Sequence, residues 1–294
     1  MNFSIITPCF NSAKTLKRTF ESLLALKRND FEWILIDDCS SDDGATRRLI
    51  LWISETAPFL VKTKFLEKNY FGAKSTYEGC LIASGKYACI LDHDDELKAD
   101  ALDVVMDNYQ YLILDNVAGV AGRCVDRNNK QIGKKFPEER FIGREGVVRF
   151  KWRINAELFQ FTKLEILKKY FQDFFPGYTN GFVWAKISQD YDFIFVSDVL
   201  RVYDTDLPTS YSNTKKLHIV YPEAKARALQ QTLEFYNDYL GWNPLYALSI
   251  AGSSVRHRLN ARQRVLVNLP RKTIAKIFYV CSIPLGWLKY KAII

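Results

Sequence analysis

A short apolar run leads directly into a cluster of carboxylates in the first third of the chain. The run spans residues 87–91, and the carboxylates that follow it are Asp92, Asp94 and Asp95. An apolar stretch of this length predicts a buried strand. Carboxylates repel one another and resist burial, so a cluster at a strand end requires a compensating cation or hydrogen-bond donor. Oxygen ligands of this kind suit Mg²⁺ or Mn²⁺, which in turn bind phosphates.

A second strand pattern upstream also ends in acidic residues. Residues 31–37 are mostly apolar, and Asp37 and Asp38 stand at the end of this run. Two acidic strand ends in one half of a chain predict a site for a metal-bound nucleotide. The alternative interpretation is a pair of solvated turns.

Strand and helix patterns alternate along the first part of the chain. Strands are predicted at residues 3–8, 31–37, 61–66 and 87–91, and the segments between them carry apolar residues at helical spacing. Farther along, a helix is predicted over residues 99–111, irregular structure over residues 134–160, and strands at residues 158–161, 193–196 and 200–203. This alternation predicts an α/β fold with a mostly parallel sheet flanked by helices. In such sheets ligands bind beyond the carboxyl ends of the strands, which is where both acidic clusters fall.

Composition is that of an ordinary globular protein. Of 294 residues, 48% are hydrophobic and 25% are charged, which excludes a disordered chain.

The six cysteines show no paired spacing and there are three histidines, so we expect reduced thiols, no zinc site and a cytoplasmic location. We expect no signal peptide, because a strand pattern follows Met1 almost at once. No apolar run reaches the roughly 18 residues that a membrane span needs.

Positive charge is concentrated towards the C-terminal end. Residues 215–294 contain thirteen Lys or Arg and three Asp or Glu, a net charge of +10, whereas the rest of the chain carries −2. The composition predicts helices with breaks near residues 241–244, Pro270 and Pro284. One interpretation is a region that lies on an anionic membrane surface. The other is a helical pair packed on the catalytic domain with an outward basic face. No known nucleic-acid-binding module accompanies the charge, so we expect no nucleic-acid partner.

Four segments, taken together, resemble the family 2 glycosyltransferases, whose nucleotide-sugar-binding fold is called GT-A. They follow the family's order and spacing over about the first hundred residues. The segments are Ser4–Asn11, Ile34–Asp42, Lys68–Gly72 with Gly79 and Ala83–Tyr87, and Leu91–Asp95. Further similarity favours a bacterial branch that builds capsule, lipopolysaccharide and other surface polysaccharides. It is found in Gly122–Gly133, Gly181–Ile187 and Leu200–Tyr203.

The resemblance implies a role for each site residue. Thr7, Pro8, Asp38 and Asp92 would bind the nucleotide-sugar, and Asp94 would ligate Mn²⁺ or Mg²⁺. The implied reaction is an inverting, metal-dependent transfer of a sugar from a nucleotide-sugar, with a UDP-sugar as the first candidate. The acceptor would be a saccharide or a saccharide linked to polyprenyl diphosphate. A general base must then take the proton of the acceptor hydroxyl.

The general base is where this sequence departs from the family pattern. Asn180 stands where the related branch has an acidic residue, and an amide is not a useful base at neutral pH. Asp173 and Glu157 are the remaining candidates. One alternative function is therefore a catalytically impaired sugar-nucleotide-binding protein of the same fold. Another is a nucleotidyltransferase, although the Gly-rich, basic phosphate loop usual in that class does not follow the first strand.

The expected domain organisation follows from these assignments. Residues 1–214 are predicted to form the GT-A catalytic domain. Within it, residues 1–115 are the nucleotide-sugar-binding half and residues 116–214 the acceptor half. Residues 215–294 are predicted to form a helical, basic appendage, for which peripheral attachment to the inner face of the cell membrane is one of the two interpretations given above.

Overall fold

The computed structural model describes residues 1–172, 180–204 and 221–291. By their contacts these residues fall into two compact units. The described residues of the first unit are 1–143, 156–172 and 191–204, and those of the second are 144–155, 180–190 and 221–291. The division does not coincide with the boundary predicted after residue 214. The predicted boundary separates a catalytic segment from an appendage by function, whereas the two units are defined by contacts, so it stays a prediction.

The first unit contains a nine-stranded sheet. Its strands are β1 (Phe3–Cys9), β2 (Phe31–Asp37), β3 (Leu60–Phe65), β4 (Tyr87–Ile90), β5 (Glu96–Leu97), β6 (Val117–Val125), β7 (Arg140–Gly143), β8 (Leu158–Lys163) and β9 (Asp192–Val202). The order in space is β3-β2-β1-β4-β8-β6-β9-β5, and β7 pairs with β9. Strands β3, β2, β1 and β4 are parallel to one another, and β6 is parallel to β9. The predicted α/β fold with a mostly parallel sheet is confirmed.

Helices surround this sheet. They are α1 (Leu16–Leu24), α2 (Ala45–Thr56), α3 (Ala73–Ile82), α4 (Ala101–Asp107), α5 (Tyr109–Leu112) and α6 (Leu164–Phe171). Strands β2 and β6 are buried along their whole length, as expected of strands covered on both faces. In the core, the ring of Phe20 on α1 stacks on Trp33 of β2 with 5.9 Å between ring centroids.

Three local predictions differ from the structure. The helix predicted over residues 99–111 is interrupted at Asn108, whose side-chain amide donates a hydrogen bond to the carbonyl of Val104. The two strands predicted near residues 193–196 and 200–203 form one strand, β9, whose pairing with β6 is irregular in between. The segment 134–160, predicted to be irregular, contains β7 and a short π-helical turn, Val147–Lys151.

The second unit is helical. Its helices are α7 (Asn180–Asp190), α8 (Pro222–Phe235), α9 (Pro244–Asn260), α10 (Thr273–Cys281) and α11 (Ile283–Lys291), with a 3₁₀ turn at Asn237–Trp242. They share a core that includes Phe150, Leu233, Tyr236, Val255 and Tyr279. The helical character predicted for the C-terminal region is confirmed. In the described part of the chain, no helix is long and apolar enough to cross a membrane.

Candidate functional site

The two acidic strand ends lie on either side of β1, at the same edge of the sheet. The amide of Leu91, just after β4, donates to the carbonyl of Ile6 at 2.9 Å. The amide of Asp38, just after β2, donates to the carbonyl of Cys9 at 2.8 Å. The loop Asp92–Asp95 therefore begins at the carboxyl end of β4, next to the end of β1. The edge at which the sequence places a ligand thus carries both acidic segments.

Two carboxylates of this loop are available for a ligand. Asp92 and Asp94 are both partly exposed, and across the three described segments neither side chain has a hydrogen-bond donor or ion-pair partner. Partial burial, and then the negative charge of Asp94, raise the pKa of Asp92 to about 6, against the opposing charge of Arg201. Two unpartnered carboxylates side by side are a favourable place for a hard divalent cation.

The donor set indicates what kind of metal site this can be. Among the residues that the structure describes, no group of three or more His, Cys, Asp or Glu side chains could hold a metal ion by itself. Mg²⁺ commonly uses one or two carboxylates and takes its other ligands from water and substrate phosphates. Asp94 and Asp92 fit a metal ion shared with a bound diphosphate, and they do not form a complete protein cage.

The third carboxylate of the loop has a different environment. Asp95 is 1% exposed, and its Oδ2 lies 3.0 Å from Nη1 of Arg201 on β9. Its Oδ1 accepts a hydrogen bond from the amide of Asp204 at 3.0 Å. Burial raises the pKa of Asp95, and the Arg201 guanidinium opposes this effect. Arg201 lies in turn over the ring of Tyr203, 4.7 Å from its centroid. Asp95 therefore anchors the loop to the end of β9.

Helix α1 holds the same loop from another direction. Arg18 Nη2 donates to the carbonyl of Asp94 at 2.6 Å, and the Thr19 hydroxyl donates to the carbonyl of His93 at 2.9 Å. The Thr15 hydroxyl is 2.8 Å from Nδ1 of His93. Thr15 is the N-cap of α1, and Arg18 and Thr19 follow it at helical spacing, so the three polar residues share one face. Their contacts with the loop were not predicted from the sequence, although the polar stripe on this amphipathic helix is visible there.

Thr7 and Pro8 lie near the carboxyl end of β1, where the resemblance places the nucleoside. Thr7 has no exposed surface, and its hydroxyl accepts a hydrogen bond from Nε1 of Trp33 at 2.9 Å. Pro8 is partly exposed. In the structure Thr7 therefore serves as a buried hydrogen-bond acceptor for Trp33. A contact between a nucleotide and either Thr7 or Pro8 stays a prediction.

Asp38 connects the end of β2 to the loop that precedes α3. Its Oδ1 accepts from the amide of Tyr70 at 2.9 Å, and its Oδ2 accepts from the amide of Gly72 at 2.8 Å. Burial raises the pKa of Asp38, and these two amides oppose the rise. Both oxygens thus organise the segment just before α3. A contact with a nucleoside base, which would need further lone pairs of the same carboxylate, stays a prediction.

Of the residues considered for the general base, the structure describes one side chain. Asp173 lies outside the described residues, and Asn180 is described through its backbone, at the start of α7. The side chain of Glu157 is 57% exposed, and its Oε2 lies 3.5 Å from Nη2 of Arg201. The charge of Glu157 also acts on Asp92, whose pKa it helps to raise after the larger effects named above. Glu157 is therefore near the acidic loop.

A known protein family matches the part of the chain that carries this site. The profile of the family described as Glycosyl transferase family 2 matches residues 4–180, which is more than half of the chain. The match includes most of β1, the loop after β2 and the acidic loop after β4, the three segments that build the edge described above.

Curated relatives include bacterial glycosyltransferases. The chain is 29% identical over 170 residues to the poly(ribitol-phosphate) beta-N-acetylglucosaminyltransferase TarP of Staphylococcus aureus, covering 56% of this chain and 48% of that protein. It is 26% identical over 250 residues to the GalNAc(5)-diNAcBac-PP-undecaprenol beta-1,3-glucosyltransferase of Campylobacter jejuni, covering 80% and 76%. The chain thus spans about half the length of the first relative and three quarters of the second.

Solved structures with the same fold cover almost the whole chain. S. aureus TarS 1–349 in complex with UDP-GlcNAc superposes with a TM-score of 0.62 at 15% identity, covering 99% of this chain and 92% of that one. A mannosyltransferase of Pyrobaculum calidifontis in complex with GDP-Man and Mn²⁺ gives 0.56 at 16% identity, covering 99% and 84%. These likenesses show a shared GT-A fold. Together with the family profile they confirm the predicted family: this chain belongs to the family 2 glycosyltransferases.

Proposed function

We propose that this glycosyltransferase moves a sugar from a UDP-sugar to a saccharide acceptor, with a divalent ion and with inversion at the sugar carbon. The observation that carries the proposal is the pair Asp92 and Asp94, which lack protein partners in the described residues and stand at the ligand-binding edge of the sheet. A UDP donor is supported by the fold shared with TarS in complex with UDP-GlcNAc. A divalent ion is supported by the fold shared with the Mn²⁺ complex of the mannosyltransferase.

The proposed mechanism assigns separate tasks to the residues of the loop. Asp94 would ligate the ion, and Asp92 would lie beside the ribose of the donor. A divalent ion bound there supplies positive charge that stabilises the departing nucleoside diphosphate. Arg18 and Arg201 position the loop, since they bind the carbonyl of Asp94 and the carboxylate of Asp95. Preorganisation of this kind keeps Asp94 from having to reorder when the donor binds.

Glu157 is the proposed general base. Its side chain is open to solvent, so an acceptor hydroxyl can reach it, and Arg201 links it to the acidic loop. Glu157→Gln should lower kcat about 100-fold or more while leaving the KM for the donor nearly unchanged. The exposed Glu138 of the same unit provides a matched control, and Glu138→Gln should be as active as the wild type. Full activity in Glu157→Gln would remove Glu157 from this role.

The proposed acceptor is a saccharide, free or linked to polyprenyl diphosphate, of a bacterial surface polysaccharide. The two relatives support this class, since one is named for poly(ribitol-phosphate) and the other for an undecaprenol-linked glycan. Donor chemistry would then take place on the cytoplasmic side, with the enzyme attached peripherally to the inner face of the membrane.

A donor screen tests the proposed reaction. Hydrolysis or transfer would be measured with UDP-, GDP- and dTDP-sugars, each with Mn²⁺ and with a chelator. We expect turnover of a UDP-sugar with Mn²⁺ and its loss with the chelator. Donor binding without turnover of any sugar, in the presence of saccharide acceptors, would instead support the impaired, sugar-nucleotide-binding alternative. Equal turnover with and without Mn²⁺ would contradict the metal-dependent mechanism.

A further inference from the structure

The last two helices of the described chain expose an apolar surface. On α10 and α11, five large apolar side chains are at least 41% exposed, and Ile277 and Leu288 are 56% and 62% exposed. We call this set the outer face. Its members are Ile274, Ile277, Val280, Trp287 and Leu288. Scattered exposed apolar residues are ordinary, but five on two consecutive short helices indicate a binding surface.

The opposite side of both helices is fully packed. Ala275 and Tyr279 of α10 and Gly286 of α11 are buried, and both helices contact α9. A Cβ atom at Gly286 would lie 2.5 Å from Cβ of Val255. The close approach of α11 to α9 at this point therefore requires glycine. Because both helices pack on the same helix, the outer face is turned away from the core of this unit. In the described part of the chain this face stays exposed.

The charge around the outer face has one sign. Residues 239–294 contain nine Lys or Arg and no Asp or Glu. Of these, Lys272, Lys276 and Lys291 are exposed on or beside the two helices. Lys291 Nζ lies 3.9 Å from the ring centroid of Trp287, so a cation and an interfacial aromatic residue are presented together. Any partner of this surface must therefore accept apolar side chains and supply negative charge.

We propose that the outer face binds the surface of an anionic lipid bilayer. Trp287 and the aliphatic residues would enter the boundary between head groups and acyl chains, while the lysines contact lipid phosphates. The helices are too short to cross the bilayer, which leaves them in the plane of the interface. A second copy of the chain would bring the same positive charge to the contact, and a nucleic acid would not need the aliphatic side chains. A bilayer matches both properties.

Vesicle binding by the full chain tests the apolar part of this proposal. Co-sedimentation would be measured with vesicles of mixed phosphatidylglycerol and phosphatidylcholine and with vesicles of phosphatidylcholine alone. Ile277→Glu/Leu288→Glu should lower the partition coefficient on anionic vesicles about tenfold or more. The matched control is Leu51→Glu/Leu81→Glu, which places the same charges on exposed leucines of the first unit and should bind like the wild type. Circular dichroism would show that each variant is folded.

The charge part is tested separately. Lys272→Gln/Lys276→Gln should weaken binding to anionic vesicles by about fivefold for each cation removed, and added salt should weaken wild-type binding in the same way. The proposal is overturned if the wild type fails to bind anionic vesicles, or if Ile277→Glu/Leu288→Glu binds as well as the control variant. It is also overturned if the wild type is a dimer in light scattering that Ile277→Glu/Leu288→Glu converts to a monomer. A wild type that turns over the donor but does not bind anionic vesicles would overturn this proposal alone and leave the proposed reaction intact.

Discussion

Oδ2 of Asp95 lies 3.0 Å from Nη1 of Arg201, and both side chains are almost completely buried. The pair joins the loop after β4 to the end of β9, two segments more than a hundred residues apart in the chain. A buried ion pair contributes little net stability compared with apolar residues, but removal of one partner leaves an uncompensated charge. The contact therefore fixes the acidic loop in place more than it stabilises the fold.

Replacement of one member of this pair should be costly. Arg201→Met is expected to lower the free energy of unfolding by about 3–5 kcal/mol, because it leaves Asp95 buried without a cation. Arg201→Met/Asp95→Asn should recover at least about 1 kcal/mol of that loss, since the remaining charge is removed as well. Urea unfolding of the single and double variants measures both quantities. Strictly additive losses would show that the two residues are not coupled.

A second buried carboxylate predicts a pH dependence of stability. Glu32 on β2 has no exposed side-chain surface, lies 2.7 Å from Nζ of Lys62, and accepts hydrogen bonds from Ser4 and Ser84. Burial alone would raise the pKa of Glu32, but these partners outweigh it and hold the pKa below its usual 4.5. Such a carboxylate contributes stability that is present above its unfolded-state pKa and is lost as the pH falls through its folded-state pKa.

Glu32→Gln should therefore destabilise the protein by about 2–3 kcal/mol at neutral pH. The difference from the wild type should shrink as the pH falls from about 4.5, where Glu32 becomes protonated in the unfolded state, through its lower folded-state pKa. Unfolding curves at a series of pH values test this. A difference that stays constant from neutral pH into the acid range would contradict the assignment.

The two hydrogen bonds of Asp38 predict an effect on backbone dynamics. Asp38→Ala removes both acceptors for the amides of Tyr70 and Gly72, so these amides should exchange with solvent about tenfold faster or more. Asp38→Asn keeps one acceptor oxygen and should show a smaller increase. Hydrogen exchange followed by mass spectrometry reports both. Asp107→Ala, at an exposed position on α4, serves as the control and should leave this segment unchanged.

Close packing of β6 on β8 predicts that replacement of two different glycines by alanine has very different effects on stability. A Cβ atom at Gly119 of β6 would lie 2.0 Å from the carbonyl oxygen of Phe161 in β8, and backbone atoms of a central strand cannot move aside. Gly119→Ala should destabilise the protein by at least about 2 kcal/mol. Gly241 has no atom within 4 Å of such a position, and Gly241→Ala should stay within about 0.5 kcal/mol of the wild type. Thermal unfolding compares them, and equal stabilities would show that β6 and β8 are farther apart.

The sheet could be predicted because its signal is local. β1, β2 and β4 are mostly apolar runs, and parallel strands present their carboxyl ends at one edge, so Asp38 and Asp92 could be placed there before the structure was known. The family resemblance added the order of the segments. The type of each element, helix or strand, followed from the spacing of apolar residues. The break between α4 and α5 at Asn108 coincides with a side-chain hydrogen bond, which apolar spacing does not show.

The residues that hold the acidic loop in place could not be predicted in the same way. Arg201 on β9 and Arg18 on α1 contact the acidic loop from elements that are distant from it in the chain. The local sequence around a lone arginine does not show which residue it will contact. The internal roles of Thr7 and Asp38 were likewise hidden, since their partners Trp33 and Gly72 are chosen by strand packing and by the course of a loop. Local patterns thus located the edge of the sheet at which we propose that the donor binds. Long-range contacts decided which of its acids lack a partner among the described residues.

Calorimetric titration of UDP into the protein, with Mn²⁺ and with a chelator, tests the central claim most directly. The wild type should bind UDP at least about tenfold more tightly with Mn²⁺. Asp94→Asn should lose this difference, and Asp107→Asn, at an exposed position on α4, should retain it. If UDP binds the wild type equally well in both conditions, or if Asp94→Asn keeps the Mn²⁺ effect, the acidic loop after β4 is not the metal and diphosphate site.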